Sequence, residues 1–171
     1  MAIELEFQIP HAVADVWQVI GDPGRIDWVA GVAACDYDGK VRRFKMEGAG
    51  ELAEEIIELN DATYTIVYGV IESTPPLAKH RASMALTETA QGSLLTWRTE
   101  VDPVAVEPFI KQGMEASAAK LLTVLGNRAD HAQSGIHTYW LRHLGDCCRA
   151  NLCVFAARTR AARSGQHHDP A

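Results

Sequence analysis

No apolar run in this chain approaches the ~20 residues that a bilayer-spanning helix requires, so no membrane span is expected. The opening Met1-Ala2-Ile3-Glu4-Leu5-Glu6 lacks the basic-then-apolar pattern of an export signal, and a cytoplasmic location follows as the expectation. In that compartment the four cysteines are expected as reduced thiols. Bases are scarce: 16 Lys and Arg stand against 22 Asp and Glu, a net charge of −6. That balance argues against a nucleic-acid partner or a broad anionic-membrane surface. Gly48-Ala49-Gly50 is followed by no P-loop lysine and reads as a turn; the chain also lacks a dinucleotide fingerprint and a serine nucleophile elbow. No cofactor is expected, and no internal repeat is visible.

What is present is globular. Hydrophobic residues make up 47% and charged residues 22% of the 171, enough for one domain with a sizeable core and an appendage. The charge is uneven. After residue 130 there are five arginines, no lysine and two acids, a balance of +3, which leaves −9 on the preceding residues. Three of the four cysteines and five of the seven histidines also lie there. A boundary is therefore expected near Ala129, with a domain over 1–129 and a basic, Cys/His-rich extension over 130–171. His137, His143, Cys147, Cys148 and Cys153 follow no usual zinc-finger or ribbon spacing, and adjacent Cys147 and Cys148 suit one tetrahedral ion poorly. No metal is expected. Trp140, Leu144, Cys148, Leu152 and Phe155 recur near helical spacing, consistent with one amphipathic helix docked on the domain or on a partner. A frame-shifted or recently acquired extension is the alternative, and the end from about Ser164 reads as disordered.

Within the first part, Ile3, Leu5, Phe7 and Ile9 alternate with Glu4, Glu6 and Gln8, the period of a half-buried strand. Pro10 suits a first helical position, and Val13, Val16, Trp17 and Ile20 mark one helical face that stops at Gly21. Asp22-Pro23 can open a second short helix carrying Ile26, Trp28 and Val29. From Val32 the period returns to two. Strands are expected over 33–37, 41–46, 52–59, 64–71, 79–87 and 94–101, punctuated by Asp38-Gly39, Asn60-Asp61, Thr74-Pro75-Pro76 and Gln91-Gly92. Val106, Ile110, Met114, Ala118, Leu121 and Leu125 then form a helical stripe over about 104–125, roughly 30 Å long. Gly113 in its middle costs up to about 1 kcal/mol relative to alanine and suits a bend or a close backbone approach.

This order predicts an α+β fold: a seven-stranded curved antiparallel sheet around a long C-terminal helix, with two short helices after the first strand. A curved sheet cannot touch one helix everywhere. The small residues Gly113, Ser117 and Ala118 leave room on the helix stripe, so a cavity for a small apolar molecule is expected. Alternation assigns the inward sets Ala53, Glu55, Ile57 and Leu59; Tyr64, Ile66, Tyr68 and Val70; His80, Ala82, Met84 and Leu86; and Leu95, Trp97, Thr99 and Val101. A bulge would reverse any of these choices beyond it.

The opening "IPHAVADVWQVIGDPGRIDWVAGV" resembles the start of START-like (SRPBCC) domains. The stretch "EIIELNDATYTIVYGVIESTPPLAKHRASMALTETAQGSLLTWRTEVDP" resembles their polyketide cyclase/dehydrase-like branch, through Glu55, Asp61, Tyr64, Tyr68-Gly69, the "LTWRTEVDP" strand and the following helix. The likeness spans about residues 3–126 and is spread over many positions. It implies a helix-grip fold with a hydrophobic cavity, in a superfamily whose members bind lipids, sterols, hormones or polyketides. Some members catalyse cyclisation or dehydration. These domains usually finish with the long helix, so the resemblance says nothing of the extension.

Two functions follow as expectations. The first is binding or carriage of a small hydrophobic, aromatic or lipid-like molecule, with Trp28, Glu55, Tyr64, Tyr68, His80, Met84, Trp97, Ile110 and Met114 as candidate wall residues; a homodimer is compatible with it. The alternative is a cofactor-independent polyketide cyclase, aromatase or dehydratase. Such an enzyme needs a base alpha to a carbonyl and an acid for a departing hydroxyl; Glu55, His80 and Tyr68 are the candidates. That reading requires Glu55 and His80 to approach one point in the cavity. The competing assignment pairs Glu55 with an arginine such as Arg43 and leaves His80 at a rim. Trp17 and Cys35 read as core residues.

Overall fold

The computed structural model describes residues 2–74 and 76–127. The calls on the extension, from the 129/130 boundary to the tail helix and the His and Cys positions, lie outside the described residues. Strand β1 (Ala2–Ile9) is followed by helix α1 (Val13–Ile20), then by β2 (Val32–Tyr37), β3 (Val41–Met46), β4 (Gly50–Asn60), β5 (Thr65–Ser73), β6 (Lys79–Thr89) and β7 (Gly92–Asp102). A 3-10 turn at Val104–Val106 leads into a long helix, α2, over 107–127.

In β1 the charged residues face solvent while Ile3, Leu5 and Phe7 are half-buried and Ile9 is buried, as a period of two requires. Helix α1 buries Val13, Val16, Trp17, Val19 and Ile20, and Asp15 in its first turn suits the helix dipole. The helix begins after Ala12 rather than at Pro10. The second short helix does not form. Residues 22–31 make successive turns instead, with Arg25 N–H donating to Asp22 O at 3.0 Å and Val29 N–H to Ile26 O at 2.9 Å. The Asp22 side chain accepts from Gly24 N–H at 3.0 Å, and the Trp28 indole donates to Arg25 O at 3.1 Å. Such i+3 and side-chain bonds hold a compact coil and compete with an α-helical ladder.

The seven strands make one antiparallel sheet in the order β1-β7-β6-β5-β4-β3-β2. After α1 the chain returns to the far edge of the sheet, and β7 closes it by pairing with β1. Register shifts lie between Val32 and Cys35 in β2, and between Ala53 and Glu54 and between Ile56 and Glu58 in β4. Bulges of this kind add bend and twist.

The core fills only part of the space between sheet and helices. Ile9, Val16, Ile20, Ile66, Met84, Leu95 and Leu121 are almost wholly inaccessible, and Leu125 joins them from the end of α2. Trp17 packs there too, its indole N–H donating to Asp61 Oδ1 at 2.8 Å and its ring meeting Tyr64 edge-on at 5.8 Å. These contacts gather under α1 and the second half of α2. Towards the first half of α2 the sheet and helix part. An ideal Cβ on Gly113 would meet nothing within 4 Å, so this glycine serves no close backbone approach.

Candidate ligand cavity

The unfilled space is a cavity of about 570 Å³. Its floor is the concave face of β3 to β7: Arg42 and Phe44, Leu52 and Glu54, Tyr68 and Val70, His80, Trp97 and Thr99. Its roof is the run from Val106 to Ser117, and one wall is the turn segment from Ile26 to Val32. Exposed lining residues Glu47, Gly48, Phe109, Gln112 and Gly113 border the mouth. The Phe109 ring closes on Gly48, where an added Cβ would meet it at 3.2 Å.

Most of this lining is apolar, with one polar group of residues in the floor. Arg42 and Glu54, both 6% exposed, face each other across the β3–β4 ladder, with Arg42 Nε donating to Glu54 Oε2 at 2.7 Å. The guanidinium carbon lies 4.7 Å from the centre of the Tyr68 ring and 5.8 Å from that of Phe44. This is a cation held by one carboxylate and two aromatic faces, the arrangement that makes a buried arginine tolerable. Burial opposes the Arg42 charge, but Glu54 and Tyr68 outweigh it and hold its pKa above the ordinary value. Tyr68 is pushed well above the usual phenol range, first by burial and then by the Glu54 charge. It therefore stays a hydroxyl. Trp97 stacks at a tilt on Trp28, 5.9 Å between ring centres, and its buried indole N–H has no hydrogen-bond partner among the described residues. Thr99 donates to Met114 Sδ at 3.6 Å.

His80 sits where two strands separate. β5 and β6 pair as far as Tyr68 and Ala82. Beyond that point Val70 N–H donates to His80 Nδ1 at 3.4 Å. Gly69 makes the separation compact, since a Cβ there would meet the His80 carbonyl oxygen at 2.9 Å. Burial pushes the His80 pKa down, the nearby Glu54 charge only partly opposing it. The neutral imidazole with Nδ1 as acceptor carries its proton on Nε2.

Of the nine candidate wall residues, Trp28, Tyr68, His80, Trp97, Ile110 and Met114 line the cavity. Three do not. Met84, fully buried, belongs to the packed core. Tyr64 precedes β5 in a left-handed turn conformation, φ 49°, and packs on Trp17. Glu55 is the main correction. The inward residues of β4 are Leu52 and Glu54, with Ile56 packed on the core, whereas Glu55 bonds to Lys40 at 2.8 Å and Ile57 and Leu59 are exposed. The choice by apolarity failed because the inward strand face carries a charge that Arg42 neutralises. The expected partner Arg43 instead pairs with Asp38 at 3.4 Å. Glu55 and His80 therefore share no point in the cavity. Sequence reasoning also missed Arg42, Glu54, Phe44 and Phe109. The one signal available was the Arg42–Glu54 spacing across a short hairpin, which places the two side by side. Cys35, expected in the core, is half-buried, and burial pushes its thiol up. Among the described residues, no cluster of metal-ligating side chains forms and no helix is long and apolar enough to cross a membrane.

The family described as polyketide cyclase / dehydrase and lipid transport matches residues 1–129. The chain belongs to this family. The START-like resemblance and the helix-grip fold are thereby shown, and hydrophobic ligand binding in general is a family property. Among solved structures, the protein XoxI from Bacillus cereus is similar at 19% identity and a TM-score of 0.63, over 73% of this chain and 94% of that one. An uncharacterized protein from Bacillus thuringiensis is similar at 20% identity and a TM-score of 0.61, over 71% of this chain and 99% of that one. Ara h 8.0201 is similar at 17% identity and a TM-score of 0.61, over 74% of this chain and 98% of that one. At such identities the likeness carries the fold alone. No curated protein matches the chain.

Proposed function

We propose that this polyketide cyclase/dehydrase and lipid transport family member binds and carries one small hydrophobic molecule in the cavity between its sheet and its long helix. The observation that carries the reading is the cavity itself. At about 570 Å³ it falls in the range of roughly 300–1,000 Å³ typical of small-molecule sites. Its lining has the composition of such sites, mostly apolar and aromatic with a few polar groups together. The candidate ligand contacts are Trp28, Tyr68, His80, Trp97, Ile110 and Met114. The enzymatic alternative, a cyclase, aromatase or dehydratase, loses its proposed acid–base pair because Glu55 lies outside the cavity, bonded to Lys40. Glu54 is engaged by Arg42. Carriage is therefore the reading favoured here.

Fluorescence titration with N-phenyl-1-naphthylamine, a neutral apolar probe, tests it. One saturable site is expected, and Val70→Trp, which projects an indole from the cavity floor, should weaken it about tenfold while the fold is kept. Absence of saturable binding, or binding indifferent to Val70→Trp, would sink the reading.

A further inference from the structure

The sheet divides beside the cavity, and one histidine spans the division. β6 pairs with β7 along its whole length. Its pairing with β5 covers only residues 65–68 against 82–85, and beyond that point residues 69–73 stay with β4. In the gap Val70 N–H donates to His80 Nδ1 at 3.4 Å, so an imidazole takes the place of a ladder carbonyl. Further along, the backbone is tied on both sides of the gap: Leu77 N–H donates to Ser73 Oγ at 3.1 Å and Ala78 N–H to Asp102 O at 3.0 Å. Val70, Ser73, Leu77 and His80 all line the cavity. The same ring therefore closes the seam and forms part of the ligand wall.

Only a neutral imidazole does both. Nδ1 accepts from Val70 with a lone pair, and protonation turns it into a donor facing another donor. An imidazolium also needs water around it, which an apolar guest against this wall excludes. The charged and titratable groups around the ring do not compensate. Arg42 on β3 repels a cation, and Glu54 on β4 attracts one but is engaged by Arg42 at 2.7 Å. Tyr68 on β5, its ring 6.2 Å from the imidazole, is a hydroxyl. Lys79 and Arg81 flank His80 on β6, opposite Asp102 and Glu100 of β7. The α2 residues of the lining are uncharged, and Glu47 lies exposed at the mouth. Burial holds the His80 pKa below the ordinary histidine value; Glu54 opposes this and Arg42 adds to it.

We propose that His80 makes ligand retention proton-linked: the cavity holds an apolar molecule while the imidazole is neutral, and releases it when His80 takes up a proton and the β5–β6 seam loses its Val70 bond. This rests on the carrier reading above and adds a regulation to the same site. A guest that prefers the neutral ring lowers its pKa further. Affinity is therefore full above the His80 pKa of the empty protein and falls with pH until the value of the loaded protein is passed.

N-phenyl-1-naphthylamine, neutral throughout this range, is titrated into the full chain near pH 7.5 and near pH 5.0, on either side of the ordinary histidine pKa, with near-ultraviolet circular dichroism following the fold at both. Its Kd is expected to rise about threefold to tenfold at the lower pH. In His80→Gln the amide oxygen still accepts from Val70 but does not titrate, so its two Kd values should agree within about twofold, whatever its affinity near pH 7.5. The imidazole nitrogen resonances of the parent protein need no variant, so the inference stays testable if His80→Gln folds poorly. They should show the proton on Nε2 at neutral pH and a His80 titration midpoint lower with the probe than without it. A parent Kd equal at both pH values, a His80→Gln Kd that rises as the parent's does, or a His80 midpoint indifferent to the probe would each overturn the inference while leaving the carrier reading standing. Failure of the probe to bind the parent near pH 7.5 would remove the carrier reading itself, and the inference with it.

Discussion

Replacing Arg42 with methionine tests how the polar floor is held together. The Arg42 and Glu54 side chains are 7% and 8% exposed, and their Nε–Oε2 separation is 2.7 Å. Methionine fills much of the arginine stem but leaves the Glu54 carboxylate buried without its cation. Removing one partner of a buried pair costs about 3–5 kcal/mol, because the remaining charge has lost its solvation and gained nothing. The guanidinium also leaves the Tyr68 face, 4.7 Å away, which adds a smaller loss. Against a domain stability of roughly 5–15 kcal/mol this is a large fraction. Glu54→Met should cost a similar amount for the mirror reason. The double variant should not cost the sum: it removes both desolvation penalties and stands within about 1–2 kcal/mol of the parent, on either side. Urea denaturation of the four proteins at one pH completes the cycle. Lys40→Met supplies the control, since the Lys40–Glu55 pair has a lysine side chain 72% exposed and its loss should not be measurable. A cost for Arg42→Met below about 1 kcal/mol, or strictly additive single variants, would refute the claim that the pair is a coupled, desolvated unit.

Burial holds the His80 pKa below the ordinary histidine value, so the unfolded chain takes up its proton first as pH falls. The stability tied to neutral His80 is whole above about pH 6.5 and declines below it; His80→Gln should flatten that part of the profile. Urea midpoints near pH 7.5 and 5.5 falling equally in parent and variant would contradict this. Gly113→Ala should stabilise the domain by up to about 1 kcal/mol, because an added Cβ meets nothing within 4 Å on this helical residue. A lower thermal midpoint would show a constraint that the geometry does not reveal. Gly69→Ala should destabilise by about 1–3 kcal/mol, since its Cβ would press on the His80 carbonyl oxygen at 2.9 Å. An unchanged denaturation midpoint would mean that the β5–β6 separation yields freely.

Much of the fold was legible because it is written in local periods. The run Val41–Met46 reads as a strand with the bounds it has, and the α1 stripe Val13, Val16, Trp17 and Ile20 is buried as its spacing requires. The turn at 22–31 escaped this logic. Asp22 and Trp28 use side-chain hydrogen bonds to satisfy the backbone, and periodicity does not register them. In β6 and β7 alternation also placed His80, Trp97 and Thr99 towards the cavity, since no bulge interrupts their pairing.

By itself the sequence determined the order of the strands, helix α1 after the first of them, and the antiparallel sheet with its closing helix and an apolar interior between them. These follow from the spacing of greasy side chains along a few residues of chain. Tertiary structure alone decided which face of β4 looks inward, because Glu54 is admitted to the interior only by an arginine twelve positions earlier on a neighbouring strand. It also decided that the space beneath the first half of α2 stays open while that beneath the second half is packed. Whether a gap fills depends on side-chain volumes summed across the sheet, α1 and α2, and no single stretch of sequence contains that sum.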